Sequence, residues 1–140
     1  MIKIKKYAAI DIGSNAMRLL IVNIVEQEGK EPQFNKSSLV RVPIRLGQDA
    51  FTVGEISEEN IERMCDAMKA FKLLMKVHKI ERYMAFATSA MREAYNGKEV
   101  AALIKKKADI KIEIIDGKKE ASIIASTDLH HLLKTDQTYL

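Results

Sequence analysis

The sequence predicts an α/β fold, a mixed β-sheet flanked by helices in the order β-β-β-α-β-α-β-α. Three observations carry this. Apolar and β-branched runs crowd the N-terminal third and are separated by short polar turns. One strongly amphipathic helix then follows. After it, helix and strand patterns alternate to the end of the chain. Adjacent strands followed by such alternation describe a sheet layered with helices.

Each element has a local reason. Ile4 to Ile12 is apolar and β-branched and reads as a buried strand. Gly13 to Asn15 is a turn, and Leu19 to Val25 is the returning strand of a hairpin. Glu26 to Pro32 is a second turn. Ser38 to Leu46 alternates well enough for a third strand, and Pro43 places it at an edge or a bulge. Gln48 to Gly54 reads as a loop. Ser57 is an N-cap candidate followed by Glu58 and Glu59, which suit the positive end of a helix dipole. Ile61, Met64, Cys65, Met68, Phe71, Leu74 and Met75 then recur at helical spacing as far as His78.

Tyr83 to Thr88 reads as a strand, and Ser89 to Tyr95 as one or two helical turns broken by Asn96-Gly97. Val100 to Lys107 is a helix, and Ile110 to Ile115 alternates as a strand ended by Asp116-Gly117. Lys118 to Leu133 reads as a last helix, and Thr138 to Leu140 as the start of another strand.

Bulk properties exclude several classes. At 140 residues the chain is one domain or one lobe of a larger one. No apolar run reaches membrane-spanning length, and Lys3, Lys5 and Lys6 precede no signal-peptide pattern, so a cytoplasmic location is expected. The single Cys65 excludes an internal disulfide framework. A net charge of +4 suits an anionic partner, or simply a lysine-rich surface. Aromatic residues do not interleave with the basic ones, so no specific nucleic-acid partner is expected. His130-His131 is a poor metal pair, because adjacent helical residues point apart.

Four stretches can carry chemistry. In Asp11-Ile12-Gly13-Ser14-Asn15 a strand delivers a carboxylate to a flexible polar turn. Glycine permits close backbone approach and positive φ, and a carboxylate there can hold Mg²⁺, often through water. The same residue types also make a plain hairpin turn. Arg18 lies just past the turn, where a guanidinium can reach a phosphate or simply end a strand. Thr88 and Ser89 stand between a strand and a helix, with Arg92 one turn further on. This is an anion site or ordinary N-capping with a solvated arginine. Glu120 follows Asp116-Gly117-Lys118-Lys119 in the first turn of a helix. It is a general base or a dipole-stabilising acid.

Taken in order, these stretches resemble the N-terminal lobe of the exopolyphosphatase / guanosine pentaphosphate phosphohydrolase (Ppx/GppA) family. Tyr7 to Leu20 resembles its first phosphate loop. Arg45-Leu46-Gly47 with Gly54-Glu55-Ile56-Ser57 resembles the segment leading into its long helix. Ala87 to Gly97 resembles its Ala-Thr-x-Ala-x-Arg-x-Ala-x-Asn stretch, and Ile112 to Ile123 its Ile-Glu-x-Ile-Ser-Gly-x-Glu-Glu-Ala stretch. The resemblance implies a ribonuclease H-like sheet of the sugar kinase–Hsp70–actin superfamily, an actin-like ATPase lobe. It implies that Asp11, Gly13, Ser14 and Asn15 form the phosphate loop, with Asp11 near Mg²⁺. Arg18 and Arg92 would bind phosphate, and Glu120 would activate water for in-line attack on a terminal phosphoryl group.

Lys118 and Lys119 stand where the family usually has acidic residues, Ser122 where it often has arginine, and Asp116 where serine is common. The family's second phosphate loop, Asp-x-Gly-Gly-Gly-Ser-x-Glu, is expected just after Leu140, so residues 1–140 correspond to one lobe without the second. The expected activity is removal of terminal phosphoryl groups from polyphosphate or guanosine pentaphosphate once the second lobe completes the cleft, with the isolated lobe inactive. A binding module for polyphosphate or a nucleotide is the alternative, and a small-molecule kinase fits the Arg92 and Glu120 stretches less well. A sheet face left without its partner lobe would favour a homodimer.

Overall fold

A computed structural model describes residues 1–116. The expected helix at Lys118 to Leu133, the strand start at Thr138, and Glu120 lie outside the described residues. Five strands form one sheet: β1 (Ile2–Ile12), β2 (Ala16–Gln27), β3 (Gln33–Pro43), β4 (Arg82–Ala87) and β5 (Glu113–Ile114). Their spatial order is β3-β2-β1-β4-β5. The first three strands are antiparallel neighbours, whereas β4 and β5 run parallel to β1. The mixed sheet is as expected.

The helical elements are α1 (Leu46–Gln48), which continues into a π-helical turn at Asp49–Val53, then α2 (Glu58–Val77), α3 (Ser89–Glu93) and α4 (Gly97–Ala108). Strand β1 is buried continuously from Tyr7 to Ile12, as a strand covered on both faces must be. On one face Ala8, Ile10, Ile12, Met17 and Leu19 join Met64, Met68 and Phe71 of α2 and Val100 and Ile104 of α4 in the main core. On the other, Tyr7, Ala9, Val22, Ile24, Met84 and Phe86 form a smaller buried cluster.

Several sequence expectations are met. Ser57 caps α2 by accepting from the Asn60 amide at 3.2 Å. Pro43 ends the edge strand β3. Cys65 is buried, and burial pushes its thiol above the ordinary value.

Others are corrected. The third strand starts five residues earlier than Ser38 and stops at Pro43, because Ile44 and Leu46 leave the ladder to plug the core. Gln48 to Gly54 is helical rather than a loop. Gly54 ends it in the left-handed region, and its amide donates to Asp49 O at 2.9 Å. The Ile110 to Ile115 alternation does reflect burial, yet only Glu113–Ile114 find ladder partners. Asn96-Gly97 starts α4 as much as it ends α3.

That junction is tightly made. The Asn96 side chain accepts from the Ile56 amide at 2.9 Å and donates to the Ile56 carbonyl at 3.0 Å, tying α4 to the entry of α2. A Cβ on Gly97 would lie 2.0 Å from the Met91 carbonyl oxygen. At the far end, Asp109 caps α4 in the left-handed region and accepts from Lys105 at 2.7 Å and Lys72 of α2 at 3.0 Å. These two ammonium groups lower its carboxyl from the ordinary 3.8 to about 2.

Two expectations follow for the scaffold. Gly97→Ala forces backbone apart from backbone and should cost about 1–3 kcal/mol or more in urea unfolding. A variant as stable as the parent would show that α3 and α4 part easily here. The Asp109 carboxyl, whose value is depressed, should lend its tie above its ordinary range and lose it as pH falls through about 2. Carbon-13 titration of the carboxyl reads this directly. A midpoint at the ordinary aspartate value would mean the two lysine contacts do not persist in solution.

Candidate functional site

The carboxyl ends of the parallel strands β1, β4 and β5 lie on one side of the sheet, where open α/β sheets bind ligands. Because β2 and β3 run antiparallel, the start of β2 and the end of β3 lie there too, with Ala16 opposite Pro43. Four separate stretches therefore meet at this edge.

Backbone hydrogen bonds lock them. Gly13 N–H donates to Ala16 O at 3.0 Å and closes the hairpin turn. Ile44 N–H donates to Asn15 O at 3.0 Å, and Gly47 N–H donates to Ser14 O at 2.9 Å. Thr88 N–H reaches Ile12 O at 3.2 Å, and Ile115 N–H reaches Ala87 O at 2.9 Å. A Cβ on Gly47 would stand 3.0 Å from Ser14 Cβ, so glycine lets the turn before α1 press against the loop. Gly13 is not in the left-handed region. Positive φ, expected of it from sequence, is confined to Gly29 and Gly54 among the described glycines.

Asp11 and Arg18 face each other across the hairpin. Arg18 Nη2 donates to Asp11 Oδ2 at 2.5 Å. Asp11 is almost fully buried at 8% exposure, whereas the arginine side chain remains 44% exposed. The other carboxylate oxygen, Oδ1, is buried with no hydrogen-bond partner. A buried carboxylate oxygen without a donor is costly unless something else satisfies it, such as water or a cation. No cluster of three or more carboxylate, imidazole or thiolate groups exists among the described residues. One carboxylate oxygen without a donor is what an ion that keeps most of its own waters, such as Mg²⁺, would use.

Ser14 Oγ lies 3.1 Å from Ser89 Oγ, joining the β1 loop to the start of α3. Thr88 occupies the N-cap position of α3 without a side-chain cap bond, so simple capping by Thr88 or Ser89 is not what these hydroxyls do. Arg92 is not freely solvated. Its Nη1 donates to Ile115 O at 2.8 Å, and its Nε lies 3.6 Å from Glu93. The structure brings Asp11, Ser14 and Arg18 into contacts at one edge and holds Arg92 over the end of β5. Asn15 lines an open pocket shared with Arg41, Pro43 and Arg45. Hairpin register was the signal for the Asp11–Arg18 pair: once Ile12 faces Met17, Asp11 must face Arg18.

A lobe of this topology, with a phosphate-type loop at the head of its central strand, is an actin-like ATPase lobe. It superposes on the Ppx/GppA family member from Aquifex aeolicus with a TM-score of 0.70 at 32% identity, over 84% of this chain and 37% of that one. On an exopolyphosphatase from Cytophaga hutchinsonii the TM-score is 0.71 at 30% identity, over 85% and 36%. The Ppx/GppA phosphatase family profile matches residues 22–140, and the chain belongs to that family.

Among curated relatives it is 35% identical to a bifunctional 3-dehydroquinate synthase/phosphatase of Fusobacterium nucleatum, over 83% of this chain and 18% of that protein. It is 31% identical to a guanosine-5'-triphosphate,3'-diphosphate pyrophosphatase of Photobacterium profundum, over 84% and 23%. It is 25% identical to exopolyphosphatase 1 of Mycobacterium tuberculosis, over 84% and 33%. The chain therefore spans a third or less of the length of these curated relatives. No helix among the described residues is long and apolar enough to cross a membrane.

Arg18→Ala should leave Asp11 buried with neither oxygen satisfied and cost about 1–3 kcal/mol in urea unfolding. The Asp11→Asn/Arg18→Ala double variant should recover part of that loss. Equal stability of Arg18→Ala and parent would mean the pair is not formed in solution.

Proposed function

We propose that residues 1–140 form one wall of a cleft that hydrolyses phosphoanhydrides, with inorganic polyphosphate or guanosine pentaphosphate as substrate. The observation that supports this reading is the orphaned Asp11 Oδ1 at the edge where the ends of β1, β3 and β4 and the start of β2 come together. A carboxylate held on one side by a guanidinium and bare on the other is suited to a hydrated cation and the phosphate it accompanies.

Each group then has a part in in-line transfer to water. Ser14 and Asn15 hydrogen-bond phosphoryl oxygens from the loop. Arg18 orients a phosphoryl group while it balances Asp11, since its exposed guanidinium retains free donors. Arg92 sits at the opposite side of the same edge. Mg²⁺, when bound through Asp11 Oδ1, supplies charge neutralisation on the phosphate oxygens. Glu120, by the family resemblance, takes the proton from the attacking water. Catalysis of this kind is mostly positioning and charge stabilisation, so it needs both walls.

The test is phosphate release from polyphosphate and from guanosine pentaphosphate. A polypeptide of residues 1–140 alone should bind but release little phosphate. The same residues joined to a family second lobe should turn over, and Glu120→Gln should slow that joined protein by about 10²–10⁴-fold. Rapid release by residues 1–140 alone would overturn the need for a second wall. Full activity of Glu120→Gln would remove its role as base. Binding without turnover in the joined protein would favour a polyphosphate- or nucleotide-binding module.

A further inference from the structure

Arg41 belongs to β3 and directly faces Arg18 of β2, which directly faces Asp11 of β1. Paired residues on neighbouring strands project from the same face, so one row across three strands reads carboxylate, guanidinium, guanidinium. Like charges placed opposite each other cost stability. The one carboxylate in the row already gives Oδ2 to Arg18. Arg41 has no ion pair or hydrogen bond among the described residues.

A second cation joins it from a separate turn. Arg45 has φ −83 and ψ 67, and Leu46 N–H donates to Ile44 O at 2.9 Å across it, which is an inverse γ-turn with Arg45 at its apex. Ile44 and Leu46 on either side are buried, so the turn drives Arg45 outward. The same turn is fastened to the loop by the Ile44–Asn15 and Gly47–Ser14 bonds. Arg45 also lacks any partner among the described residues. Between the two arginines lies an open pocket of about 480 Å³ lined by Asn15, Arg41, Pro43 and Arg45. Arg63 of α2 donates to the carbonyl of one lining residue, Pro43, at 2.9 Å.

We propose that Arg41 and Arg45 form a second anion subsite that holds a more distant phosphoryl group of a polyphosphate chain while the chain's end lies at the Gly13–Asn15 loop. The proposal rests on the phosphoanhydride reading above and adds to it the path of the chain, outward past Asn15 to the sheet's β3 edge. Two unpaired guanidinium groups beside a polar amide are matched to phosphate oxygens, which they can grip with paired hydrogen bonds. The arrangement favours longer chains, which can engage the loop and both arginines at once. An edge strand often carries a charge to discourage strand pairing. That role does not explain why the charge faces another arginine, or why a second arginine is turned toward it.

Binding separates the possibilities. Residues 1–140, unchanged or as Arg41→Gln/Arg45→Gln, are titrated with tripolyphosphate and with long-chain inorganic polyphosphate at fixed salt. Polyglutamate serves as a non-phosphate polyanion, and circular dichroism checks the fold. The double variant should bind long-chain polyphosphate about tenfold more weakly, the loss of about one charge-assisted contact, with a smaller loss toward tripolyphosphate. Arg41→Lys/Arg45→Lys should fall between. Equal binding of long chains by parent and double variant would overturn the subsite and leave the loop reading intact. So would equal weakening toward both phosphates, or a parent preference for polyglutamate, since each points to a diffuse positive field. Failure of the parent to bind either phosphate would overturn the phosphoanhydride reading itself, and the subsite with it.

Discussion

Everything at the candidate site hangs on the immobility of β1. It is hydrogen-bonded along both edges, to β2 on one side and β4 on the other, and is buried on both faces from Tyr7 onward. A strand so enclosed has no freedom to shift by a residue, because a slip would turn Ile10 and Ile12 out of the main core and bring Asp11 into it. The carboxylate at its head is therefore placed by the whole sheet. Loops then fasten to that fixed point: Ile44 and Gly47 from one side, Thr88 from the other. The result is a rigid edge built from segments far apart in the chain, which is how precise polar sites are normally supported.

Charge at this edge is deliberately uneven. Asp11 is held by Arg18 yet keeps a buried oxygen without a partner, while Arg41 and Arg45 form no ion pair, among the described residues. A site that balanced its own charges would have little left for a ligand. On the proposed reading the acid would take a cation and the arginines an anion. That division suits a metal-accompanied phosphate better than either ion alone. The cost appears as like charges facing each other on β2 and β3, tolerated because their side chains reach solvent.

Much of this could be read from the chain. The hairpin, the capped helix α2 and the edge position of Pro43 follow from local pattern, because turn residues, N-cap chemistry and missing amides act over a few residues. The stretches around Asp11, Arg18 and Thr88 are visible as motifs, but their meeting is not, since it depends on backbone bonds such as Thr88 to Ile12 and Gly47 to Ser14. The helical turn at Asp49–Val53 escaped for a similar reason. Phe51 and Val53 are exposed, so no amphipathic period marks it. Its stability comes from the Leu46 and Ala50 contacts with the core and the stop at Gly54. The strand expected at Ile110 to Ile115 shows the limit of alternation, which reports burial but not which residues find a ladder partner. That Arg92 ties down the end of β5 is not legible either, because nothing in its own neighbourhood reveals that Ile115 O lies within reach.

The contact between Ser14 and Ser89 has a further consequence. Either hydroxyl can be the donor, so the bond has no fixed polarity. Rotation of both hydroxyl hydrogens about their C–O bonds reverses it without moving a heavy atom. An acceptor arriving near Ser14 can take that proton while Ser89 turns to donate back, and the reverse holds for an acceptor near Ser89. The two segments can thus stay latched whichever hydroxyl donates elsewhere, and the edge can adjust its donors without opening.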